Sequence, residues 1–333
     1  MLIRVMNPLH LDLQCFDQIA PACEQLREQV SKAVIGQQQT VDLLLTALLC
    51  HGHVLLVGVP GLAKTRLVRA LGCALDLSTA RVQFTADLMP TDIVGTELLR
   101  KDAAGTHRIL EFVQGPVFTS LLLADEINRA SPRTQAALLE AMAERQVTVA
   151  GQTHPLPEPF MVIATQNPIE QQGTYPLPEA QLDRFMFSYV MTYPSDAQEM
   201  AIAMLRDESV LQQIKTVATQ QQVSTWAKLI RQMPISDVVA KQAVQWVRAT
   251  RPSEQGANQM VKDYVQWGAG PRASQYLLLA ASAQAAMQGK PTATLDHPKQ
   301  IAPAVLCHRL VLNFAASADH ITQSKIVNAI MTN

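Results

Sequence analysis

The sequence predicts an α/β fold over residues 1–194, followed by a region in which helices dominate. Short apolar runs typical of buried strands alternate with helical patterns over residues 1–194. Residues 195–333 show helical periodicity alone. A strand, a Gly-rich turn and the start of a helix follow one another between Val54 and Leu71. These observations predict two domains, residues 1–194 and residues 195–333.

The chain starts with helical periodicity over residues 1–33, and a second helix is expected over Thr40–Cys50. The turn between them consists of Val34, Ile35, Gly36 and Gln37. Glycine permits a backbone turn close to a ligand. An ordinary connection between two helices is the alternative interpretation of these four residues.

The eight residues after the apolar run 54–57 follow the phosphate-binding pattern G-x-x-x-x-G-K-[ST] with one departure. They are Gly58, Val59, Pro60, Gly61, Leu62, Ala63, Lys64 and Thr65, and Arg66 continues into the helix. Ala63 stands where the pattern has its second glycine. Free backbone amides and the helix dipole favour a phosphate here, Lys64 adds positive charge, and the Thr65 hydroxyl can ligate Mg²⁺. The alternative, a turn that binds nothing, leaves the Lys-Thr pair unexplained.

Carboxylates and an amide follow two further apolar runs. Asp125 and Glu126 come directly after the run 121–124, and Asn167 follows the run 160–164. Phosphoryl transfer depends on positioning and charge neutralisation. Asp125 is therefore expected to hold Mg²⁺, Glu126 to polarise the attacking water, and Asn167 to hold that water or the terminal phosphate. The alternatives are a solvated loop start for the two carboxylates and an Asn-Pro turn for Asn167.

Two arginines stand out further along the chain. Arg184 precedes the last predicted strand, where an exposed guanidinium could reach a neighbouring subunit, although an ion pair with Asp183 is the alternative. Arg272 lies at a predicted helix start, where a cation opposes the helix dipole. This unfavourable placement indicates that Arg272 contacts an anion such as phosphate.

Two β-hairpins are predicted outside the main sheet. The first pairs residues 97–100 with 108–112 around the turn 102–105, and the second pairs residues 146–149 with 153–156. In the first hairpin the acidic side chains offset the basic ones. The second hairpin has no Lys or Arg between Gln146 and Glu158.

Composition narrows the class of protein. The 333 residues are 48% hydrophobic with a net charge of −1, which favours a large core over disorder and excludes a basic nucleic-acid binder. No apolar run reaches the roughly 18 residues that a membrane span needs, and the N-terminus is unlike a signal peptide. The five cysteines show no C-x-x-C pair or zinc-finger spacing, so they are expected to be scattered buried thiols. A cytoplasmic location is therefore expected.

Taken together, these motifs resemble the MoxR family of AAA+ ATPases over about residues 25–320. The resemblance is carried, in order, by Gly58 to Thr65, by the stretch 123–130 around Asp125 and Glu126, by the stretch 164–168 around Asn167, by the stretch 177–185 around Arg184 and by residues 270–273 around Arg272.

The resemblance implies roles for the residues that match. It also implies the fold, an α/β domain with a five-stranded parallel sheet and helices on both faces, followed by an all-helical lid domain. It assigns residues 34–37 to the adenine pocket, Asn167 to sensor 1, Arg184 to the arginine finger and Arg272 to sensor 2. It identifies the two hairpins as the helix-2 insert and the pre-sensor-1 insert. Ala63 is usual in this family, whereas Gly270 stands where serine is common.

The expected function is ATP hydrolysis with Mg²⁺ by a homo-oligomeric ring. The expected number of subunits in this ring is six. By resemblance, the ring remodels or matures a protein client, together with a von Willebrand factor A (VWA) domain partner and in some cases with metal or cofactor insertion. The alternatives are the AAA+ subunit of a metal chelatase and a slow nucleotide-dependent switch. A nucleic-acid motor is disfavoured, because the chain has no basic tract and no added nucleic-acid-binding module.

Overall fold

The computed structural model describes residues 13–101, 108–169, 172–204 and 208–332. Part of the predicted N-terminal helical region, residues 1–12, lies outside the described residues. So does the predicted turn of the first hairpin, residues 102–105.

The strands within the described residues are β1 (Val54–Val57), β2 (Thr79–Gln83), β3 (Gly95–Lys101), β4 (Arg108–Gln114), β5 (Leu121–Asp125), β6 (Gln146–Val149), β7 (Gln152–Pro155), β8 (Met161–Gln166), β9 (Phe187–Val190), β10 (Val265–Trp267) and β11 (Val311–Leu312). The helices are α1 (Leu13–Asp17), α2 (Ile19–Ala33), α3 (Gln38–Leu49), α4 (Lys64–Leu75), α5 (Pro90–Val94), α6 (Pro132–Glu144), α7 (Glu179–Leu182), α8 (Asp196–Met204), α9 (Gln220–Gln232), α10 (Asp237–Ala249), α11 (Gln259–Tyr264), α12 (Pro271–Met287), α13 (Asp296–Leu306), α14 (Phe314–Ala318) and α15 (Gln323–Thr332).

The predicted five-stranded parallel sheet is confirmed. Its strand order is β2-β5-β8-β1-β9, and every neighbouring pair is parallel. Parallel strands present their carboxyl ends at one edge of the sheet, which is where ligands bind in open α/β sheets. The turns after β1, β5 and β8 therefore meet at that edge.

Apolar residues cover both faces of this sheet. Alternate residues of a strand point to opposite faces, and the core divides in the same way. Leu56 and Ile163 belong to one buried cluster, whereas Leu55 and Val162 belong to the other. This double burial explains why β5 and β8 read as continuous apolar runs instead of alternating ones.

The two predicted hairpins are present and pack against each other. β3 pairs with β4 and β6 pairs with β7, both antiparallel. The ring of Phe112 on β4 stacks on that of His154 on β7, with centroids 4.2 Å apart. Phe118 meets the Phe112 ring edge-on at 5.7 Å. The hairpins thus form one aromatic contact beside the sheet.

The second region is mainly helical, as predicted, but it is not entirely helical. β10, directly after α11, and β11, which follows α13, form a small antiparallel sheet. These strands have only three and two residues, too few to show the alternating pattern on which strand prediction depends. The domain boundary between residues 194 and 195 stays a prediction.

The two regions share one core. α12 of the second region packs on α2 and α3 of the first as well as on its own neighbours α9, α10 and α13. Leu44 and Leu277, one from each region, are both completely buried in the same cluster. Among the described residues, none of the helices combines the length and the apolar character that crossing a bilayer requires.

The expectation of buried cysteines is partly wrong. All five thiols are free, and Cys23 and Cys50 are buried as expected. Cys73, however, is exposed on α4. Burial raises the pKa of the Cys23 thiol to about 12, so this thiol stays protonated at neutral pH.

Candidate nucleotide site

The phosphate loop joins β1 to α4, and its backbone adopts the conformation that the pattern demands. Ala63, directly before α4, has φ 54° and ψ 25°, in the left-handed region that favours glycine. Gly61 also has a positive φ, of 91°. A left-handed alanine costs about 1–2 kcal/mol, and the loop accepts this strain at the residue that leads into α4.

Lys64 is fixed inside the loop. Its Nζ donates a hydrogen bond to the carbonyl oxygen of Gly58 at 2.6 Å. Partial burial lowers the pKa of Lys64, while the nearby carboxylates of Asp125 and Glu126 raise it. The ammonium therefore lies between the loop and the carboxylates that end β5.

Thr165 organises the end of β5. Its hydroxyl donates to Asp125 Oδ1 at 2.6 Å and accepts from the backbone N–H of Glu126 at 2.9 Å. β8 lies directly beside β5, which places this threonine next to both carboxylates. Thr165 belongs to no site predicted from the sequence, although it immediately precedes the Gln-Asn pair at the end of a predicted strand.

Each carboxylate is also paired with a cation. Arg81 of β2 contacts Asp125 Oδ2 through Nη2 at 2.7 Å and through Nε at 3.2 Å. Glu126 Oε2 accepts from Arg129 Nη1 at 3.1 Å and from Gln83 Nε2 at 2.8 Å. Arg81 and Gln83 were missed because β2 reads as an ordinary short strand. The pairing of β2 with β5 could have identified them, because it places Gln83 opposite Asp125 in the parallel strands.

These side chains surround one cavity of about 430 Å³ at the carboxyl edge of the sheet. It is lined by Pro60, Gly61, Leu62, Ala63, Lys64, Thr65, Arg66, Arg81, Gln83, Asp125, Glu126 and Asn167. Gly58 and Val59 form the entry to the loop beside it. The sequence-predicted phosphate, magnesium and water residues therefore lie together.

Asn167 serves the predicted turn as well as the cavity. Its side chain is buried, and Oδ1 accepts from the backbone N–H of Ile169 at 3.2 Å, which is the Asn-Pro turn interpretation. The same residue lines the phosphate cavity. The two interpretations are thus compatible.

The oxygen donors near the loop suit a hard divalent cation. The Thr65 hydroxyl and the Asp125 carboxylate both line the cavity, and Mg²⁺ prefers oxygen ligands, retaining several waters when bound to one or two protein groups. No cluster of three or more His, Cys, Asp or Glu side chains with metal-binding geometry occurs in the described part of the chain. The residues present fit a magnesium ion that arrives with phosphates better than a permanent metal centre.

A second, smaller cavity of about 220 Å³ lies beside the turn between α2 and α3. It is lined by Val34, Ile35, Gly36 and Gln37, together with Arg27, Ser31, Gln38, Val41 and Gln198. Gly36 has φ 82°, and a Cβ placed on it would come within 2.7 Å of Gln198 Oε1. The positive φ is the reason for glycine at this position, because the Gln198 side chain is flexible and could move away from a Cβ. Gln198 was missed because its contact spans more than 160 residues.

Arg184 and Arg272 are not among the residues that line the phosphate cavity. Both line a third cavity of about 560 Å³ that is bordered by α6, α9, α12 and the segment after α7. Arg184 Nη1 donates to the carbonyl oxygen of Ala180 at 2.8 Å, so no ion pair with Asp183 forms there. Asp183 instead accepts from Arg272 Nη1 at 2.9 Å. A protein carboxylate thus meets the cation at the start of α12, where phosphate contact was predicted.

Arg309, which belongs to no site predicted from the sequence, joins the second region to this segment. Its Nε donates to Asp183 Oδ1 at 2.8 Å, and its Nη2 donates to the carbonyl oxygen of Phe185 at 2.7 Å. The side chain is only 2% exposed and lies over the ring of Tyr276 at 5.1 Å. Burial lowers the pKa of Arg309, and the Asp183 carboxylate opposes this shift. Arg309 therefore fixes the backbone on both sides of Arg184.

Family models match the two regions separately. Residues 53–187 match the ATPase family associated with various cellular activities (AAA), and residues 257–330 match the AAA lid domain. The crystal structure of a Cytophaga hutchinsonii protein assigned as an ATPase superposes with a TM-score of 0.88. That protein is 36% identical, and the match covers 96% of each chain.

Proteins from several bacteria match nearly the whole chain. Chaperone MoxR1 of Mycobacterium tuberculosis is 41% identical over 91% of this chain and 79% of its own length. The Bacillus subtilis protein YeaC is 39% identical over 92% of each chain. Protein MoxR of Methylorubrum extorquens is 30% identical over 87% of this chain and 88% of its own length. The identity over this length, together with the loop and carboxylates around one cavity, shows that the chain belongs to the MoxR family of AAA+ ATPases.

Proposed function

We propose that this protein hydrolyses ATP and uses the energy to remodel or mature a protein client. The observation that carries the proposal is the phosphate cavity, where Lys64, Thr65, Asp125, Glu126 and Asn167 converge. Lys64 would neutralise the β- and γ-phosphates, and Thr65 with Asp125 would hold Mg²⁺, which neutralises the charge that develops on the phosphates.

Glu126 is the proposed general base. It directly follows β5, and its backbone N–H donates a hydrogen bond to the Thr165 hydroxyl. This bond fixes the backbone from which the side chain extends. Its carboxylate must exchange Gln83 and Arg129 for the attacking water. Asn167 would orient that water from the neighbouring strand end. Together these residues supply positioning and proton transfer, which are the main requirements of this reaction.

The positions of the two arginines support a ring. Arg184 and Arg272 line a different cavity from the phosphate loop of their own chain. We therefore propose that both act on the nucleotide of a neighbouring subunit, Arg184 as arginine finger and Arg272 as sensor 2. A site completed by the next subunit requires a closed homo-oligomer, and we propose a hexamer.

The adenine base is proposed to occupy the smaller cavity at residues 34–37, where Gln198 forms part of the wall. The chaperone name of the Mycobacterium relative supports a protein client. A VWA-domain partner, assistance with metal or cofactor insertion and a cytoplasmic location belong to the same proposal. A chelatase subunit or a slow nucleotide switch would use the same cavity.

Glu126→Gln tests the catalytic assignment. The variant should bind ATP with unchanged affinity but hydrolyse it at least a hundredfold more slowly, because the phosphate contacts survive and water activation does not. Affinity is measured with a fluorescent ATP analogue and turnover by phosphate release. Wild-type turnover in Glu126→Gln would show that Glu126 is not the base, and equally slow turnover in the unmodified protein would favour the switch.

Mixing two inactive variants tests action between subunits. Arg184→Ala should bind ATP yet lose about 10³-fold or more in turnover, as arginine fingers contribute. Lys64→Ala should fail to bind ATP. Mixed rings should regain activity, because an intact Arg184 of a Lys64→Ala subunit can complete the site of an Arg184→Ala subunit. Mixed assembly is verified by pulling down one tagged variant, and no recovery in verified rings would contradict the finger role.

The client class is tested by stimulation. Turnover should be unchanged by single-stranded or duplex DNA and RNA at low salt, because nucleic-acid binding requires cations that both inserts lack or offset. Glu126→Gln loaded with ATP should retain a protein client from a native lysate. Several-fold stimulation by nucleic acid with salt-sensitive binding would overturn the protein-client proposal.

A further inference from the structure

The cavity that contains Arg184 and Arg272 carries more positive charge than an arginine finger and a sensor account for. We call it the arginine cavity. Its lining also includes Arg145, directly after α6, and Arg231, near the end of α9. Four guanidinium groups thus border about 560 Å³, and no Asp or Glu is among the described residues that line it.

Neutral acceptors hold the two additional arginines. Arg145 donates through Nη1 to His51 Nδ1 at 3.1 Å and through Nη2 to the His51 carbonyl oxygen at 3.2 Å. Arg231 Nη2 donates to the carbonyl oxygen of Cys50 at 3.0 Å. These contacts position the two guanidinium groups without neutralising them. Burial lowers the pKa of Arg145, and the charge of Arg231 lowers it further.

The nearest carboxylates compensate this charge only in part. Glu158 raises the pKa of Arg145, but its side chain is 54% exposed and lies 3.9 Å from His51 Nδ1. Asp183 is already engaged by Arg272 and Arg309. Since like charges repel strongly in a partly desolvated cavity, the arrangement favours an additional anion.

Two residues that line this cavity each have a buried donor without an acceptor. Arg184 Nε and His51 Nε2 are both inaccessible to solvent and make no hydrogen bond. Burial and the neighbouring arginines lower the pKa of His51 to about 4, so the ring is neutral. Because His51 Nδ1 accepts from Arg145, its single proton lies on Nε2. An unpaired buried donor costs about 1–3 kcal/mol, so an additional acceptor near these two residues would be favourable.

We propose that the arginine cavity binds a phosphate-bearing anion and that Arg145 and Arg231 contact it together with Arg184 and Arg272. Guanidinium forks match phosphate oxygens geometrically, and four of them exceed what a singly charged anion needs. The phosphates have two possible sources, a free polyphosphate or the nucleotide of a neighbouring subunit. The second source rests on the ring of the proposed function, whereas the first rests on the cavity alone.

The first arm measures free anion binding. Inorganic tripolyphosphate is titrated calorimetrically into Lys64→Ala protein, in which the phosphate loop has lost its cation. One molecule per chain should bind, and adding Arg145→Gln with Arg231→Gln should weaken binding at least tenfold, as expected when charged hydrogen bonds are removed. Arg133→Gln is the matched control, because Arg133 is exposed and lies on α6 outside the cavity. The Arg145→Lys and Arg231→Lys pair keeps the charge and should retain part of the affinity.

The second arm measures turnover in assembled protein with an intact Lys64. Here Arg145→Gln with Arg231→Gln should bind ATP normally and hydrolyse it at least tenfold more slowly, with recovery in rings mixed with Lys64→Ala subunits. Loss in the first arm identifies a free polyphosphate, and loss in the second alone identifies the neighbour's nucleotide. The proposal is overturned if the folded double variants, with glutamine or with lysine at positions 145 and 231, match Arg133→Gln both in tripolyphosphate affinity and in ATP turnover. The first arm gives its answer even if the protein hydrolyses no ATP.

Discussion

Replacing Arg309 with methionine should destabilise the protein far more than replacing Arg272 in the same way, although both arginines contact Asp183. Arg309 is 2% exposed, and its removal leaves the buried carbonyl oxygen of Phe185 with fewer donors. Removing one partner of a buried ion pair costs about 3–5 kcal/mol. Asp183 is 30% exposed and keeps Arg272, so we expect the lower end, about 3 kcal/mol.

Arg272→Met is the matched control for this prediction. The Arg272 side chain is 49% exposed, and such surface pairs contribute about 0–1 kcal/mol. The free energy of unfolding is measured by urea titration, followed by circular dichroism and by tryptophan fluorescence to detect separate unfolding of the two regions. If Arg309→Met lost no more stability than Arg272→Met, Arg309 would not be the link between the regions that its contacts indicate.

Three further changes probe the site and the core. Thr165→Val should lower ATP turnover about 10–100-fold, measured by phosphate release, because Asp125 loses its hydroxyl donor; unchanged turnover would deny Thr165 a positioning role. Burial lowers the pKa of His53 from 6.5 to about 4, so stability should fall by about 3 kcal/mol as the pH drops from 6.5 to 4 and then level off. His53→Gln should remove this component of the pH dependence in urea titrations, and an unchanged slope would refute it. Ser131→Ala should cost about 1 kcal/mol of unfolding free energy through loss of the α6 cap, and no loss would contradict the cap.

The geometry around His53 gives an independent reason for that pH dependence. Its Nδ1 accepts from the backbone N–H of Val162 at 3.0 Å, and its Nε2 lies 3.2 Å from the carbonyl oxygen of Met142. A second proton on Nδ1 would face another donor. The folded protein therefore holds the neutral ring, whereas the unfolded chain takes up a proton below pH 6.5.

Much of the sheet and the phosphate cavity could be predicted because local signals specify them. β1 begins and ends where the apolar run does, at Val54 and Val57. α6 begins at Pro132 after its Ser131 cap, and the Ser131 hydroxyl accepts from the backbone N–H of Thr134 as capping requires. Such signals lie within a few residues of the element that they define.

Contacts between distant segments could not be predicted in this way. The sequence offered Arg184 as the partner of Asp183, but adjacent side chains on one helical turn point apart. The actual partners, Arg272 and Arg309, lie 89 and 126 residues away. Arg309 lies in a region where the sequence shows helical periodicity alone, but α13 ends before it, at Leu306. No local sequence pattern identifies a residue whose role is to contact the other region across their interface.

The ion pairs of the phosphate cavity have a consequence for the order of binding. Asp125, the proposed magnesium ligand, is held by Arg81, and Glu126 is held by Arg129. A lone cation would have to compete with guanidinium groups that the protein itself supplies. Both arginines are about half exposed, so their pairs are weak enough to exchange. When a nucleotide enters, its phosphates offer the arginines new partners and leave Asp125 open. We therefore expect magnesium and nucleotide to load together, so that the metal content of the protein follows nucleotide occupancy.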